Sequence, residues 1–254
     1  MGWKEIWARK GQAAGKLASL SDLIVADGFD SGLGKIEPRH WTKMVMNAAE
    51  RLNLRTHERI SEVGCGAGAF LYPLYCSGFL DLSGLDYSAP HIGQARRMIP
   101  SGNFVVGEAA YLPFRTGFFD AGICNGVFLY FPSLEYADRT VREITRSLRD
   151  GGRSLILDVN DASRRREFET RRRDALGADE YDRLYRDAPQ LFIERQWWCL
   201  NSDRWGVELE IYDQRVEGYG NSEFRYNVLL RRKSGCESPS AVPPKGRGGS
   251  VSDA

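Results

Sequence analysis

The sequence has no apolar run long enough to span a membrane, and it has almost no net charge. Its 35 Lys and Arg residues are balanced by 34 Asp and Glu residues, which leaves a formal net charge of +1 over 254 residues. A charge this close to zero creates no bulk field that would attract nucleic acid or an anionic membrane surface. The N-terminal MGWKEIWARKG lacks an apolar signal segment, and Ile6 stands where a myristoylation signal requires Ser or Thr. We therefore expect a soluble protein with no nucleic-acid and no membrane partner.

Cysteines are also few, and none is paired by spacing. Their odd number and scattered positions argue against a disulfide framework, and the absence of a CxxC pattern argues against a zinc site. We therefore predict no metal site and a reducing, cytoplasmic location. The five cysteines are Cys65, Cys76, Cys124, Cys199 and Cys236.

From Arg59 onward the chain alternates between strand and helix patterns, which predicts an α/β fold with a mostly parallel sheet and helices on both faces. The last two predicted strands, VELEIYD and FRYNVLL, have no helix between them and should pair antiparallel. A helix from Leu134 to Leu148 is expected to close at Asp150, Gly151 and Gly152. We predict an N-terminal helical cap over 1–57, a core over 58–233 with a helical insertion at about 161–195, and a disordered tail over 234–254.

The glycine-rich stretch RISEVGCGAGAF, residues 59–70, follows the first strand of this pattern. Such a loop lets the backbone approach a ligand closely and direct its amides at it. Gly64, Gly66 and Ala69 also fit the dinucleotide fingerprint GxGxxG/A, so their spacing alone does not choose a cofactor. Glu62, two residues before the first glycine, would repel a pyrophosphate and attract an ammonium group. This favours S-adenosylmethionine, which carries an ammonium and a sulfonium and no phosphate.

Two further acidic residues follow at the ends of the next two strands. Asp86, in GLDYS, can accept hydrogen bonds from both ribose hydroxyls of a nucleoside, whereas Ser88 better suits the N-cap of the following helix. Glu108, in GEAAYLPF, can accept from an adenine amino group, and the Ala109 amide can reach a ring nitrogen. The ordered series of acidic residues indicates a bound nucleoside.

The motifs EVGCGAG, GLDYS, GEAAYLPF, FDAGICNGVFLYF and LRDGGRSLILDV together resemble those of class I S-adenosylmethionine-dependent methyltransferases over about residues 58–160. The resemblance implies a Rossmann-like three-layer sandwich whose seven-stranded sheet is mostly parallel, with the last strand antiparallel. It also implies S-adenosylmethionine as cofactor. Glu108 departs from the many relatives that have Asp there. The implied cofactor-binding residues are Glu62, Gly64, Cys65, Gly66, Gly68, Asp86, Tyr87, Glu108, Ala109, Asn125, Gly126 and Val127.

Candidate catalytic residues follow from the expectation that this fold reacts above the carboxyl ends of its strands. These are Tyr130 after the fourth strand, Asp161 after the fifth, and His40 in the predicted cap, which could swing over the pocket. Relatives often have His near the Tyr130 position, so a simple general base is not evident. Arg225 suits a carboxylate or phosphate on a substrate, and equally a surface cation opposite the glutamates of the previous strand.

The acceptor is expected to be a small molecule. The segment from Asn125 to Phe128 does not fit the Asn-Pro-Pro-aromatic motif of nucleic-acid methyltransferases, and no paired-glutamate loop of protein-arginine enzymes is evident. We predict transfer to an oxygen or nitrogen of a sugar or secondary metabolite, by a protein that could form a homodimer. An NAD(P)-binding oxidoreductase and a non-catalytic cofactor-binding module stay open as alternatives.

Overall fold

The computed structural model describes residues 3–13, 15, 17–186 and 189–235. Seven strands form one sheet in the order β3-β2-β1-β4-β5-β7-β6. Strands β1 to β5 are parallel, and β7 runs antiparallel to both of its neighbours, β5 and β6. This confirms the predicted sheet. The strands are β1 (Ile60–Val63), β2 (Leu82–Asp86), β3 (Asn103–Val106), β4 (Phe119–Asn125), β5 (Leu148–Asn160), β6 (Val207–Asp213) and β7 (Arg225–Arg232).

Helices cover both faces of the sheet and give it two separate apolar cores. One core joins the sheet to α2, α3, α4 and α5, and the other joins it to α6 and α9. The predicted three-layer sandwich is therefore confirmed. The helices are α1 (Trp3–Ala13), α2 (Leu20–Ala26), α3 (Pro38–Arg51), α4 (Leu71–Cys76), α5 (Ala89–Met98), α6 (Leu134–Ser147), α7 (Arg165–Leu176), α8 (Ala178–Tyr185) and α9 (Arg195–Trp205).

Strand β5 contains a bulge that redirects its side chains near its end. Leu155 and Leu157 lie in the core with α2 to α5, while Ile156 lies in the opposite core, as the two-residue period of a strand requires. Asp158 then adopts a left-handed conformation with φ +62°, and Val159 lies on the same side as Ile156. The pairing of β5 with β7 shifts register at this point. Bulges of this kind re-aim side chains next to functional sites.

The end of α6 differs from the sequence prediction. The helix stops at Ser147 and β5 begins at Leu148, so Gly151 does not close the helix. Gly151 has φ +67° within β5, where the register against β4 shifts between Phe119 and Ala121. The glycine therefore accommodates an irregularity of the strand. The sequence pattern of a glycine pair after a helix does not distinguish these two uses.

A buried ion pair ties the segment before β1 to the sheet. Arg153 of β5 donates to both carboxylate oxygens of Glu58 at 2.8 and 2.7 Å, and its Nη2 also donates to the carbonyl oxygen of Asn53 at 2.9 Å. Both ionic side chains are 9% exposed. This contact fixes the end of α3 against the fifth strand.

Helices α1 to α3 fall within the predicted cap, and α7 and α8 fall within the predicted insertion. The division into these units stays a prediction. Residues 236–254, nearly all of the predicted disordered tail, lie outside the described residues. Among the helices of the described chain, none is both long and apolar enough to cross a membrane.

Candidate functional site

A cavity opens at the carboxyl ends of β1, β2 and β4, beneath helix α1. Eleven of the twelve predicted cofactor-binding residues line it, and Gly68 is the exception. The eleven are Glu62, Gly64, Cys65, Gly66, Asp86, Tyr87, Glu108, Ala109, Asn125, Gly126 and Val127. The sequence order of the motifs thus brings these residues to one place, because parallel strands end at the same edge of the sheet.

The glycine loop is held in a conformation that side chains would disturb. Gly64 has φ +76°, and a Cβ placed on it would lie 2.4 Å from Cγ2 of Val127. The Gly64 and Cys65 amides both donate to the Leu85 carbonyl oxygen, at 2.7 and 3.0 Å. The loop is therefore pressed between the end of β2 and the segment that follows β4. Burial raises the pKa of the Cys65 thiol, so this residue is a neutral part of the wall.

Asp86 organises the loop as well as lining the cavity. Its carboxylate accepts from the Gly66 amide at 3.0 Å and from the Ser88 amide at 2.8 Å. Ser88 is the N-cap residue of α5, as predicted, but its hydroxyl makes no capping hydrogen bond and instead pairs with Nδ1 of His91 at 2.8 Å. Burial raises the pKa of Asp86. The ribose role of Asp86 stays a prediction, and the carboxylate also keeps Gly66 in position.

Glu62 presents an unmatched buried oxygen to this cavity. The residue is 2% exposed, and its Oε2 has no hydrogen-bond partner within the described part of the chain. Burial, and then the nearby charges of Asp27 and Asp86, raise the pKa of its carboxyl well above the usual range. A buried acceptor without a partner is costly, and a cationic donor in the cavity would relieve that cost.

Asp27 is a functional candidate that the sequence analysis missed. It ends α2, and its carboxylate accepts from the Ala67 amide at 2.6 Å and from the Ala69 amide at 3.1 Å. Burial raises its pKa to about 7 against the opposing effect of these two hydrogen bonds. The neighbouring Trp41 donates from Nε1 to the Ala69 carbonyl oxygen at 2.8 Å. The N-terminal helices therefore hold the glycine loop directly, and no local pattern around residue 27 could have shown this.

Helix α1 covers the other end of the cavity, around Glu108. Lys4 forms an ion pair with Oε1 of Glu108, and the Tyr136 hydroxyl donates to Oε2 at 2.8 Å. The ring of Trp3 lies 4.6 Å from that of Tyr130, measured between centroids. Trp3, Lys4 and Tyr130 all line the cavity. An adenine amino group that donated to Glu108 would share a carboxylate with Lys4 and Tyr136.

Of the three predicted catalytic residues, the structure brings only Tyr130 to the cavity. Asp161 lies outside, where it accepts from Arg195 at 2.9 Å and from the Ser163 hydroxyl at 2.6 Å. Although burial acts to raise the pKa of Asp161, those hydrogen bonds lower it overall, so this carboxylate is a weak base. His40 lies beside Glu217, with Nε2 3.8 Å from its carboxylate, and does not line the cavity. Burial raises the pKa of the Tyr130 phenol, which is therefore protonated at neutral pH.

The charge around the cavity favours a positively charged ligand. Four carboxyl groups line it, and Lys4 is the one Lys or Arg among the described lining residues. Burial lowers the pKa of His91, so that ring adds no charge at neutral pH. An ammonium or sulfonium group is attracted to this surface and a pyrophosphate is repelled. The residues present thus fit S-adenosylmethionine. The carboxylates belong to Asp27, Glu62, Asp86 and Glu108.

The comparisons with known proteins agree with this geometry. A family model described as a methyltransferase domain matches residues 61–156. Demethylmenaquinone methyltransferase of Beutenbergia cavernae is 30% identical over 123 residues, covering 48% of this chain and 48% of the relative. "Probable tRNA methyltransferase 9B" of Mus musculus is 31% identical over 110 residues, covering 43% of this chain and 24% of the relative. The chain therefore spans less than half of the length of these curated relatives.

Among solved structures, one from a complex between the Haloferax volcanii Trm112 methyltransferase activator and a methyltransferase is similar, with a TM-score of 0.63 and 16% identity. The alignment covers 91% of this chain and 98% of that one, which shows a shared fold. Fold, family model and cavity agree with the resemblance seen in the motifs. Residues 61–156 of the chain thus form a methyltransferase domain, and its fold is the class I S-adenosylmethionine-dependent one that the motifs resemble.

Proposed function

We propose that this protein transfers the methyl group of S-adenosylmethionine to an oxygen or nitrogen atom of a small molecule, such as a sugar or a secondary metabolite. The observation that carries the cofactor assignment is the buried, unpaired Oε2 of Glu62 in a cavity lined by three more carboxylates. The cofactor, when bound, supplies an activated methyl group on a sulfonium. Glu62 and Asp27 would balance its positive charges, and Asp86 would hold the ribose.

The protein's own contribution to the reaction is alignment and exclusion of water. Burial raises the pKa of the Tyr130 phenol, hydrogen bonds lower the pKa of Asp161, and neither Asp161 nor His40 lines the cavity, which supports a reaction without a dedicated general base. Helix α1 covers the cavity with Trp3 and Trp7, and both rings contact Tyr130. Binding both reactants in line under this cover lowers the barrier by proximity and by removing solvent. Tyr130 can donate a hydrogen bond to the acceptor but does not remove its proton.

The N-terminal helices and the insertion would form the walls around the acceptor. Helix α1 reaches the insertion directly, because Nε1 of Trp3 donates to the Pro189 carbonyl oxygen at 2.9 Å. A cover of this kind favours an acceptor small enough to be enclosed. The described cysteines are all free, which supports the reducing cytoplasm as the location.

The alternative cofactor is disfavoured by Asp27. The backbone amides of Ala67 and Ala69, which a pyrophosphate would need at the start of α4, already donate to this carboxylate. Calorimetric titration of the protein with S-adenosylmethionine, S-adenosylhomocysteine and NAD tests the assignment. We expect the first two to bind and NAD to show no heat. Binding of NAD alone would overturn the proposal in favour of an oxidoreductase.

Catalysis is tested separately from binding. Mass spectrometry of reactions with a panel of hydroxyl- and amine-bearing small molecules should detect S-adenosylhomocysteine together with a product heavier by one methylene unit. A panel that includes unmodified tRNA and demethylmenaquinone covers the acceptors named for the relatives. Turnover on tRNA alone would overturn the small-molecule proposal, and cofactor binding without turnover on any acceptor would favour a non-catalytic binding module.

A further inference from the structure

Arg225 is a buried cation whose donors are not satisfied. It is the first residue of β7 and is 2% exposed. Its Nε and Nη1 have no hydrogen-bond partner among the residues that the structure describes. This removes the surface-cation interpretation of Arg225 that the sequence left open. Charged donors buried without acceptors are unfavourable and are uncommon outside functional sites.

The nearest carboxylate does not meet this demand. Oδ1 of Asp158 lies 3.5 Å from Nε of Arg225, which is beyond a good hydrogen bond. Both Asp158 oxygens are already used, because Nε2 of Gln214 donates to one at 2.9 Å and the Tyr219 hydroxyl donates to the other at 3.0 Å. Arg225 therefore has charge compensation nearby and still lacks acceptors.

A second guanidinium group lies close to that of Arg225, and both contact one aromatic ring. Arg172 of α7 and Arg225 lie over the ring of Phe168, with distances of 4.2 and 4.7 Å from Cζ to the ring centroid. Arg172 donates from Nη1 to Gln190 at 3.1 Å and forms no ion pair with the described acidic residues. Other arginines of this helix are paired, as Arg171 is with Glu223 at 2.7 Å. Arg172 thus has no carboxylate partner among the described residues, and Arg225 has only the 3.5 Å contact with Asp158.

Arg172 lies beside an open groove, and Arg225 lies behind it, against the ring of Phe168, which also lines that groove. Arg172, Tyr185 and Gln190 line a groove between α7 and α8. Trp3 joins the groove to the cavity, since its ring is 6.4 Å from Tyr185 and 4.6 Å from Tyr130 between centroids. Tyr130 lines the donor cavity, and burial raises the pKa of its phenol while the nearby charges of Arg172 and Arg225 oppose that effect, so both arginines lie within electrostatic reach of Tyr130.

We propose that Arg172 and Arg225 bind an anionic oxyacid group of the methyl acceptor, a carboxylate or a phosphate, which enters through the groove between α7 and α8. This inference rests on the proposed function and names its substrate class. Guanidinium groups bind such anions through charge-assisted, often bidentate hydrogen bonds. An anchor here would place the rest of the acceptor against Tyr130, at the edge of the donor cavity.

Calorimetric titration with sodium phosphate and with sodium benzoate, at constant ionic strength in chloride, tests the site without requiring turnover. We expect one of the two anions to bind the wild-type protein, which also identifies the anion class. Arg172→Met and Arg225→Met should each weaken that binding about tenfold or more, the loss expected for charge-assisted hydrogen bonds. Arg171→Met removes the same charge from α7 outside the groove and should bind the anion like the wild type.

Titration of the same variants with S-adenosylmethionine separates the two proposals. Wild-type affinity for the cofactor in Arg172→Met and Arg225→Met, with anion binding lost, supports the inference. Absence of anion binding to a wild-type protein that binds the cofactor overturns the inference alone, as does unchanged anion binding in Arg172→Met. Anion binding by a protein that does not bind S-adenosylmethionine overturns the proposed function instead. Arg172 is partly exposed, so its variant stays informative if Arg225→Met does not fold.

Discussion

Cofactor binding is expected to release protons, because the cavity holds carboxyl groups that are partly protonated before a cation enters. The pKa of Asp27 is raised to about 7, so this group is about half protonated at pH 7. An opposite charge within about 4–6 Å lowers a carboxyl pKa by about 1–3 units. A cationic ligand would then leave at most about a tenth of Asp27 protonated at pH 7 and release about 0.4 of a proton from this group. Glu62, whose pKa is also raised, adds to the release.

This proton release also fixes the direction in which cofactor affinity changes with pH. Since the bound state holds fewer protons than the free state, affinity for S-adenosylmethionine should rise with pH. With an Asp27 pKa of about 7 in the free protein, the expected increase between pH 6 and pH 8 is about five- to tenfold. Calorimetry in imidazole and in Tris, two chloride-balanced buffers that differ in ionisation enthalpy, measures the protons released per ligand bound.

Asp27→Asn is the matched variant for this prediction, because it keeps the side-chain shape and one oxygen acceptor while it removes the titration. It should bind the cofactor more weakly at pH 8 and release fewer protons than the wild type. Equal heats in the two buffers for the wild-type protein, or a proton release that Asp27→Asn leaves unchanged, would refute the assignment of a titrating carboxyl at this position. A release that Asp27→Asn leaves unchanged would point to Glu62 as its source, whereas equal heats in the two buffers would exclude proton release from either carboxyl group.

Three further predictions concern other parts of the molecule. Gly64→Ala should weaken S-adenosylmethionine binding at least about tenfold in calorimetry, because the left-handed backbone and a Cβ at 2.4 Å from Val127 both disfavour the loop conformation. The double variant with Val127→Ala should recover part of the affinity. No recovery would argue against the contact with Val127. Glu58→Ala should lower the free energy of unfolding in urea by about 3–5 kcal/mol by leaving Arg153 buried and unpaired, and a loss below about 1 kcal/mol would contradict this. Tyr130→Phe should lower turnover without changing the shape of its pH profile, because burial keeps the phenol protonated; loss of one limb of the profile would show that Tyr130 is the base after all.

Asp27 also makes the stability of the fold depend on pH. Stability should fall as pH rises, whereas cofactor affinity should rise. Its carboxyl has a pKa of about 7 in the folded protein, against the ordinary value of 3.8 that it regains on unfolding. The folded state therefore holds the proton more tightly, and stability falls as pH rises from about 4 to 7, by up to about 4 kcal/mol from this group. Urea unfolding at pH 5 and pH 8 should show a smaller loss of stability for Asp27→Asn than for the wild type. Equal losses in the two proteins would argue against the raised pKa.

The sequence predicted the sheet, and eleven of its twelve candidate cofactor residues line one cavity, because both outcomes depend on local patterns that repeat in order. Glu62, Asp86 and Glu108 each follow a strand motif, and parallel strands bring such positions together. Asp27 escaped prediction because its partners, the Ala67 and Ala69 amides, lie 40 residues or more away in sequence and carry no side-chain signal. Arg225 was ambiguous because strand alternation does not show what packs over the first residue of a strand, which here is Phe168 of α7.

The catalytic candidates Asp161 and His40 show a second limit. Asp161 was expected at the sheet edge where this fold reacts, and His40 in the cap, where it could swing over the pocket, but neither side chain lines the cavity. Arg195 and Ser163 hold Asp161, and His40 lies next to Glu217. Which way a side chain turns depends on these neighbours, and the motif alone does not contain that information.

The hold of Asp27 and Trp41 on the glycine loop has a consequence for protein engineering. The family model begins at residue 61, so a chimera assembled at that boundary would inherit the loop without the two side chains that clasp its backbone. Fusing this core to a different N-terminal segment would leave the amides of Ala67 and Ala69 and the carbonyl group of Ala69 without these hydrogen-bond partners. A chimera that carries residues 20–51 along with the core keeps the hydrogen bonds of Asp27 and Trp41 to the loop. The N-terminal helices should therefore be transferred together with the cofactor loop.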